Sequence, residues 1–131
     1  MAGEPVLIVD DNPQNLKLAK VILCADGYDV RTAADAEDAL SMLASFAPRL
    51  ILMDLQLPRM DGLELTRRIK ADRAQRGIII VALTAYAMKG DEEKAFAAGC
   101  DAYMSKPIDI DRLSQVVAGY LHDRPGRADR P

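Results

Sequence analysis

Tryptophan is absent from this 131-residue chain, so binding has to be followed by a probe other than indole fluorescence. Cysteine is scarce. Cys24 and Cys100 lie far apart, with neither metal-ligand spacing nor other cysteines for company, which argues against a thiolate metal site and reads as two reduced thiols. There is no basic excess either. Seventeen Lys and Arg against twenty Asp and Glu leave a net charge of -3, whereas a nucleic-acid surface gathers positive charge on one face. No apolar run approaches the ~20 residues of a membrane span. The start, Met1-Ala2-Gly3-Glu4-Pro5, has neither the basic region nor the apolar stretch of a secretory signal. A cytoplasmic protein making no direct contact with nucleic acid or membrane is expected.

What is present is a strict alternation. Runs that stay apolar without alternating indicate strands covered on both faces: Val6-Leu7-Ile8-Val9, Leu50-Ile51-Leu52-Met53 and Ile78-Ile79-Ile80-Val81-Ala82-Leu83. Between them apolar residues recur at i, i+3, i+4 and i+7, as in Leu18, Val21, Ile22 and Ala25, in Ala36, Ala39, Leu40 and Leu43, and in Leu113, Val116, Val117 and Tyr120. Gly27, Pro48, Gly77 and Gly99 fall where helices must stop, while Asp35 and Asp61 stand at helix starts. The expected strands lie near 6–10, 29–33, 50–54, 78–83 and 102–105, and the helices near 13–26, 35–46, 62–72, 89–98 and 110–122. The second strand is the weakest and reads as an edge. Five such units with short connections imply a doubly wound α/β sandwich around a parallel sheet. One domain over residues 1–122 is expected, with 123–131 as a frayed, flexible tail too short for an effector module.

The polar residues that close these strands carry the chemistry. Asp10 and Asp11, Asp54, Thr84 and Lys106 each follow a separate strand, and in an open parallel sheet ligands bind outside the carboxyl ends of the strands. Carboxylates about 5 Å apart repel by roughly 3 kcal/mol at an effective dielectric near 20, so such a cluster calls for a cation. Oxygen ligands with room for water and phosphate suit Mg²⁺. A carboxylate can also attack phosphorus to give an aspartyl phosphate. Asp54, alone at the middle strand, suits that role, with Asp10 and Asp11 placed for the metal, Lys106 as a mobile charge for one phosphate oxygen and Thr84 as a donor to another.

Plainer accounts exist for each residue alone. Asp10 or Asp11 could cap the helix that follows, and Asp54 could open a turn before Pro58. Thr84 could be an ordinary strand-terminal threonine and Lys106 a solvated loop charge. Their joint placement, at four strand ends, is what coincidence explains poorly.

Taken together, Val9-Asp10-Asp11-Asn12, Met53-Asp54-Leu55-Gln56-Leu57-Pro58-Arg59-Met60-Asp61-Gly62, Leu83-Thr84-Ala85 and Ser105-Lys106-Pro107 resemble the receiver domain of bacterial two-component response regulators, over about residues 5–122. The stretch from Thr84 to Glu92 is similar to single-domain regulators of the DivK cell-division type and to the receivers of hybrid sensor kinases. The resemblance implies a flavodoxin-like (βα)5 fold with strand order 2-1-3-4-5. It implies that Asp54 takes a phosphoryl group from a phosphohistidine on a histidine kinase or phosphotransfer protein. Asp11, Asp54 and the backbone carbonyl of Gln56 would hold Mg²⁺, with Asp10 acting partly through water. Thr84 and Lys106 would hold phosphoryl oxygens, Ala85 would leave access, and Lys106-Pro107 would be cis. Tyr103 would follow Thr84 inward on phosphorylation, and Gln56 and Tyr86 would tune hydrolytic water.

The implied output face toward a downstream protein effector is helix 4, strand 5 and helix 5, with Met88, Lys89, Ala95, Tyr103 and residues near Ile110. Kinase contacts would include Asn15, Leu18, Pro107 and Ile108. Tyr28, Tyr120, Phe46 and Phe96 are expected to pack. A relay intermediate, or the receiver module of a hybrid kinase, is an alternative. A phosphohydrolase of the haloacid dehalogenase kind is disfavoured. Those enzymes carry a second acid two residues after the nucleophile, and here that position is Gln56. The expected protein is therefore a phosphoacceptor switch rather than an enzyme acting on external substrates.

Overall fold

The structure is a computed structural model that describes residues 3–57, 60–84 and 90–121. Five strands and five helices alternate: β1 (Pro5–Val9), α1 (Pro13–Ala25), β2 (Asp29–Ala33), α2 (Ala36–Leu43), β3 (Leu50–Asp54), α3 (Gly62–Ala71), β4 (Ile79–Thr84), α4 (Asp91–Ala98), β5 (Ala102–Ser105) and α5 (Ile110–Leu121). All strands are parallel, in the order β2-β1-β3-β4-β5, so the weak second strand is indeed an edge. Helix α2 ends at Leu43, earlier than the expected 46, because the chain closes there in a tight turn, with Ala44 and Ser45 bonding back to Ser41 and Met42. The expected tail, 123–131, lies outside the described residues, as do Ala85, Tyr86, Met88, Lys89 and Pro58.

Each face of the sheet has its own core. On one, Val6, Ile8, Leu50, Leu52, Val81, Leu83 and Met104 pack against α1 and α5; on the other, Leu7, Val9, Ile51, Met53, Ile80 and Ala82 pack against α2, α3 and α4. From Leu50 to Met53 every residue is fully buried, which is why β3 reads as an unbroken apolar run.

Two sequence expectations need correction. In α1 the buried face is Ala19, Ile22 and Leu23, while Leu18 and Val21 are exposed by 37% and 59% and Ala25 is exposed as well. Eight of the thirteen helix residues are apolar, from Leu16 to Ala25, so the 3.6 repeat fits more than one face. Phe96 is exposed rather than packed, whereas Tyr28 is buried, Tyr120 donates to the Asp101 carbonyl at 2.9 Å, and Phe46 lies beneath the Arg31 guanidinium at 4.7 Å.

The helix starts are set locally. Asn12, not Asp10 or Asp11, caps α1, accepting from the N–H groups of Gln14 and Asn15 ahead of Pro13. Asp35 and Asp61 cap α2 and α3 through the N–H groups of Asp38 and Glu64, each such cap contributing about 1 kcal/mol. At the sheet edge away from these starts, Lys70 Nζ donates to the Ile78 carbonyl (2.7 Å) and meets Asp101 Oδ2 (3.1 Å). The same Asp101 oxygen accepts from the Ile80 N–H (2.8 Å). This ties α3, β4 and β5 together at their lower ends, and Gly99, at φ +116°, lets the chain pass against the Lys70 stem.

Candidate functional site

Register and side-chain alternation assemble the site. Val9 pairs with Met53, Asp54 with Leu83 and Thr84 with Ser105, so Asp10 stands level with Asp54, and Thr84 and Lys106 step one residue beyond their neighbours. Side chains two apart share a face. Asp10 continues Val6 and Ile8, Asp54 continues Leu50 and Leu52, and Lys106 continues Met104, all on the α1/α5 side. Thr84 continues Ile80 and Ala82 on the opposite side, where Tyr103 also packs.

The three groups on the α1/α5 side meet. Lys106 Nζ lies 2.9 Å from Asp10 Oδ2 and 3.2 Å from Asp54 Oδ2. The other oxygen of each carboxylate is held by the backbone two residues on: Asn12 N–H donates to Asp10 Oδ1 and Gln56 N–H to Asp54 Oδ1, both at 2.9 Å. Asp10 and Asp54 are 1% and 2% exposed, while Asp11 stands at the open rim. Burial pushes the Asp54 carboxyl up to about 6. The Gln56 N–H opposes that shift, Asp10 adds to it and Lys106 opposes it. Burial pulls the Lys106 ammonium down, but Asp10 and Asp54 outweigh it and the net shift is upward.

Thr84 is fully buried and meets the Gln56 carboxamide, with Nε2 to Oγ1 at 2.9 Å and Oε1 to Oγ1 at 3.2 Å. No sequence pattern joins residues 28 apart, and this link was invisible in the chain alone. The carboxamide holds the place where a haloacid dehalogenase would carry its second acid, and an amide cannot act as a general acid or base.

Gly62 was also passed over as a site residue. A Cβ there would overlap the Asp54 carbonyl oxygen and approach the Leu55 Cα within 2.8 Å, so only glycine lets α3 start against the end of β3. Gly62→Ala should destabilise the fold by about 1–3 kcal/mol and shift Asp54 enough to weaken Mg²⁺ binding. Urea unfolding and a metal titration measure the two effects, and an unchanged metal affinity would contradict the second.

The peptide between Lys106 and Pro107 is cis, Pro107 is exposed, and Ile108 is partly buried. Asn15 is partly buried and Leu18 lies at the surface. Ala95 does not belong to any contact surface, because it is fully buried in the core shared by α3 and α4, where its small side chain admits close packing. Tyr103 is half-buried, its phenol pushed up by burial and by the carboxylates of Asp91 and Glu92 in the first turn of α4.

Asp10, Asp11 and Asp54 each bring a carboxylate oxygen within 4.8 Å of the others. Asp10 Oδ2 is buried against the Lys106 ammonium at 2.9 Å, and a carboxylate oxygen with two lone pairs retains capacity for a cation beside it. The donor set is all oxygen, as Mg²⁺ requires.

Residues 6–118 match the family description "Response regulator receiver domain". The chain is a response regulator receiver domain. This receiver is 44% identical over 118 residues to the polar-differentiation response regulator DivK of Brucella ovis, covering 90% of this chain and 96% of that one. Among solved structures it resembles a CheY-like receiver domain protein from Methanospirillum hungatei, with a TM-score of 0.87, 31% identity and coverage of 96% and 99%. It also resembles the receiver of the sensor histidine kinase PA1611 from Pseudomonas aeruginosa, with a TM-score of 0.83, 36% identity and coverage of 92% and 98%. That structure holds a magnesium ion in its active-site cleft. The receiver is thus a two-component signalling domain of the DivK-like kind. Among the described residues no helix is long and apolar enough to cross a membrane.

Proposed function

We propose that this receiver accepts a phosphoryl group on Asp54 from the phosphohistidine of a histidine kinase or phosphotransfer protein, and that phosphorylation changes its contacts with a protein effector. The observation that carries this reading is the buried Asp54 carboxylate, sharing one ammonium with Asp10 inside an all-oxygen cluster. Asp10, Asp11, Asp54 and the backbone carbonyl of Gln56 would hold Mg²⁺. When bound, the ion offsets the charge that builds on the transferred group.

The step forms one bond and breaks one. An Asp54 carboxylate oxygen attacks phosphorus, and the donor N–P bond breaks with its electron pair leaving on the imidazole nitrogen. Lys106 exchanges Asp54 Oδ2 for a phosphoryl oxygen, and Thr84 donates to another. Thr84 and Tyr103 share the α4 side of the sheet, so a pull on Thr84 is passed toward a half-buried ring on the adjacent strand β5. Coupling of this sort is typically about 1–3 kcal/mol. The exposed Phe96 and Ile110 belong to the proposed output face on α4, β5 and α5, and Leu18, Pro107 and Ile108 to the proposed kinase side.

The test is Mg²⁺-dependent labelling by a small phosphodonor such as acetyl phosphate, with the modified residue located by tandem mass spectrometry. Label on any other residue overturns the assignment. Likeness to both a response regulator and the receiver of a sensor histidine kinase leaves a relay role as a second reading. Rapid back-transfer to a histidine phosphotransfer protein, with no phosphorylation-dependent effector, would favour the relay.

Metal binding should depend on pH. The ion needs Asp54 ionised, and the carboxyl protonates at about 6 in the free protein. Apparent Mg²⁺ affinity should therefore hold above that pH and fall about tenfold per unit below it, as one proton competes for the site. Calorimetric titrations across the range measure the slope. Affinity that stays flat down to the ordinary carboxylate range would refute the raised pKa.

A further inference from the structure

At the starts of β3 and β4, the end of the sheet remote from the carboxylates, a cavity of about 210 Å³ opens between the chain leaving α2 and the connection from α3 to β4. Its walls are mostly apolar. Leu43, Phe46, Pro48 and Ile78 line it, with Ala47 and Ala74, both exposed, and the partly buried Gln75. Most small-molecule sites enclose roughly 300–1,000 Å³, so this hollow is too small for them. At roughly 30 Å³ per water it has room for about seven, the heavy-atom count of one phenylalanine side chain.

Both walls are preformed. On the α2 side the N–H groups of Ser45 and Phe46 bond to the Met42 carbonyl at 3.1 and 2.8 Å, and the Arg31 guanidinium covers the Phe46 ring. On the other side Gln75 and Arg76 bond back to the Asp72 carbonyl at 3.0 and 2.8 Å, while Lys70 Nζ holds the carbonyls of Arg76 and Ile78. An occupant meets a shaped hollow and has little left to order.

The surroundings favour one sign of charge. Residues 42–49 and 72–78 carry Arg49, Arg73 and Arg76, all exposed, against Asp72 alone, whose carboxylate accepts from the Ala74 N–H at 2.8 Å. Among the described residues none of these three guanidinium groups has an ion-pair partner. In a chain of net charge -3 this is a basic spot around an apolar pit.

From this we infer that the hollow docks an acidic segment of a protein partner, which seats one large apolar side chain in the pit while flanking carboxylates meet the arginines. A phosphate backbone would answer the charge and leave the pit unfilled. Along β3 and β4, at roughly 3.3 Å per residue, the site lies about 13–17 Å from Asp54 and Thr84. Docking there stands apart from phosphoryl transfer and persists in both states of the receiver.

Blocked pentapeptides titrated into the ¹⁵N-labelled receiver test it. Glu-Glu-Phe-Glu-Glu and its Leu-centred counterpart should shift the amides of Ala47, Gln75 and Ile78 saturably, and an Ala centre should weaken binding about tenfold or more. Arg76→Gln should weaken it about two- to fivefold, the range of one exposed ion pair. Ala74→Phe, a change at an exposed position that plugs the pit, should abolish it. Beryllium fluoride with Mg²⁺ should leave the affinity within about twofold. Absence of saturable shifts at these amides with both apolar pentapeptides, or equal affinity for Lys-Lys-Phe-Lys-Lys, would overturn the inference. Shifts there that change on dilution without peptide would make a second copy of the chain the occupant, and tighter binding of an oligothymidylate would make it a nucleic acid; either result overturns the inference as well.

Discussion

Asp54→Asn should yield a protein that takes no phosphoryl label and yet unfolds at higher denaturant concentration than the wild type near neutral pH. Loss of label follows from chemistry, since an amide supplies no carboxylate oxygen to attack phosphorus. The gain in stability follows from burial. The Asp54 carboxyl stands at about 6 in the folded protein against an ordinary 3.8, so folding favours its protonated form. That contribution is complete below about pH 4 and is lost as pH rises through about 6, leaving a charged group in a site that resists charge. An uncharged amide escapes this penalty, and the gain should be of the order of 1–3 kcal/mol, the amide's poorer fit beside Lys106 accounting for the spread. Urea unfolding near pH 7 and again near pH 4 measures it, with the advantage expected only at the higher pH. An advantage of equal size at both would exclude ionisation of Asp54 as its origin.

Lys106→Met should be the most damaging single change in the site. The ammonium is the shared partner of two carboxylates that are almost wholly buried. Removing one member of such a group leaves uncompensated charge and costs roughly 3–5 kcal/mol. Methionine keeps most of the apolar stem, so lost charge rather than lost packing dominates. Lys106 holds the Asp54 carboxyl down, so its removal drives that pKa further up, and the variant should recover stability as the solution is acidified. Magnesium should recover part of it at neutral pH, by about 2.7 kcal/mol when the ion is present at a hundredfold excess over its Kd. Thermal melts with and without Mg²⁺ decide the matter. A variant as stable as the wild type without metal would mean that Asp10 and Asp54 are better solvated than their burial indicates.

Much of this architecture could be read from the chain because the determinants are local. Unbroken apolar runs marked β1, β3 and β4, and Asp35 and Asp61 announced two helix starts that depend only on nearby N–H groups. The convergence of Asp10, Asp54 and Lys106 followed from strand ends alone, because a parallel sheet with short crossovers leaves them one edge to share. What failed depended on which side of a helix another element covers. Helix α1 is apolar on several sides, so Leu18 and Val21 were as eligible for burial as Ala19 and Leu23 until α5 packed against it. Ala95 was expected on the output face that the resemblance implies for helix 4, and packing between α3 and α4 puts it inside. Gln56 and Gly62 could be quoted as motif residues, but their work is an amide reaching across strands and a missing methyl group, which only coordinates reveal.

The Lys70 and Asp101 cluster pins the start of the β4 and β5 pair, at the edge remote from the carboxylates, with an ammonium, a carboxylate and backbone groups. At the other end the Lys106 N–H donates to the Thr84 carbonyl at 2.7 Å, and the Lys106 ammonium meets Asp10 and Asp54. A strand pair held at both ends opens only when both holds give way, and the amide of Ile80, bonded to the buried side of the Asp101 carboxylate, should be among the last to exchange with deuterated solvent.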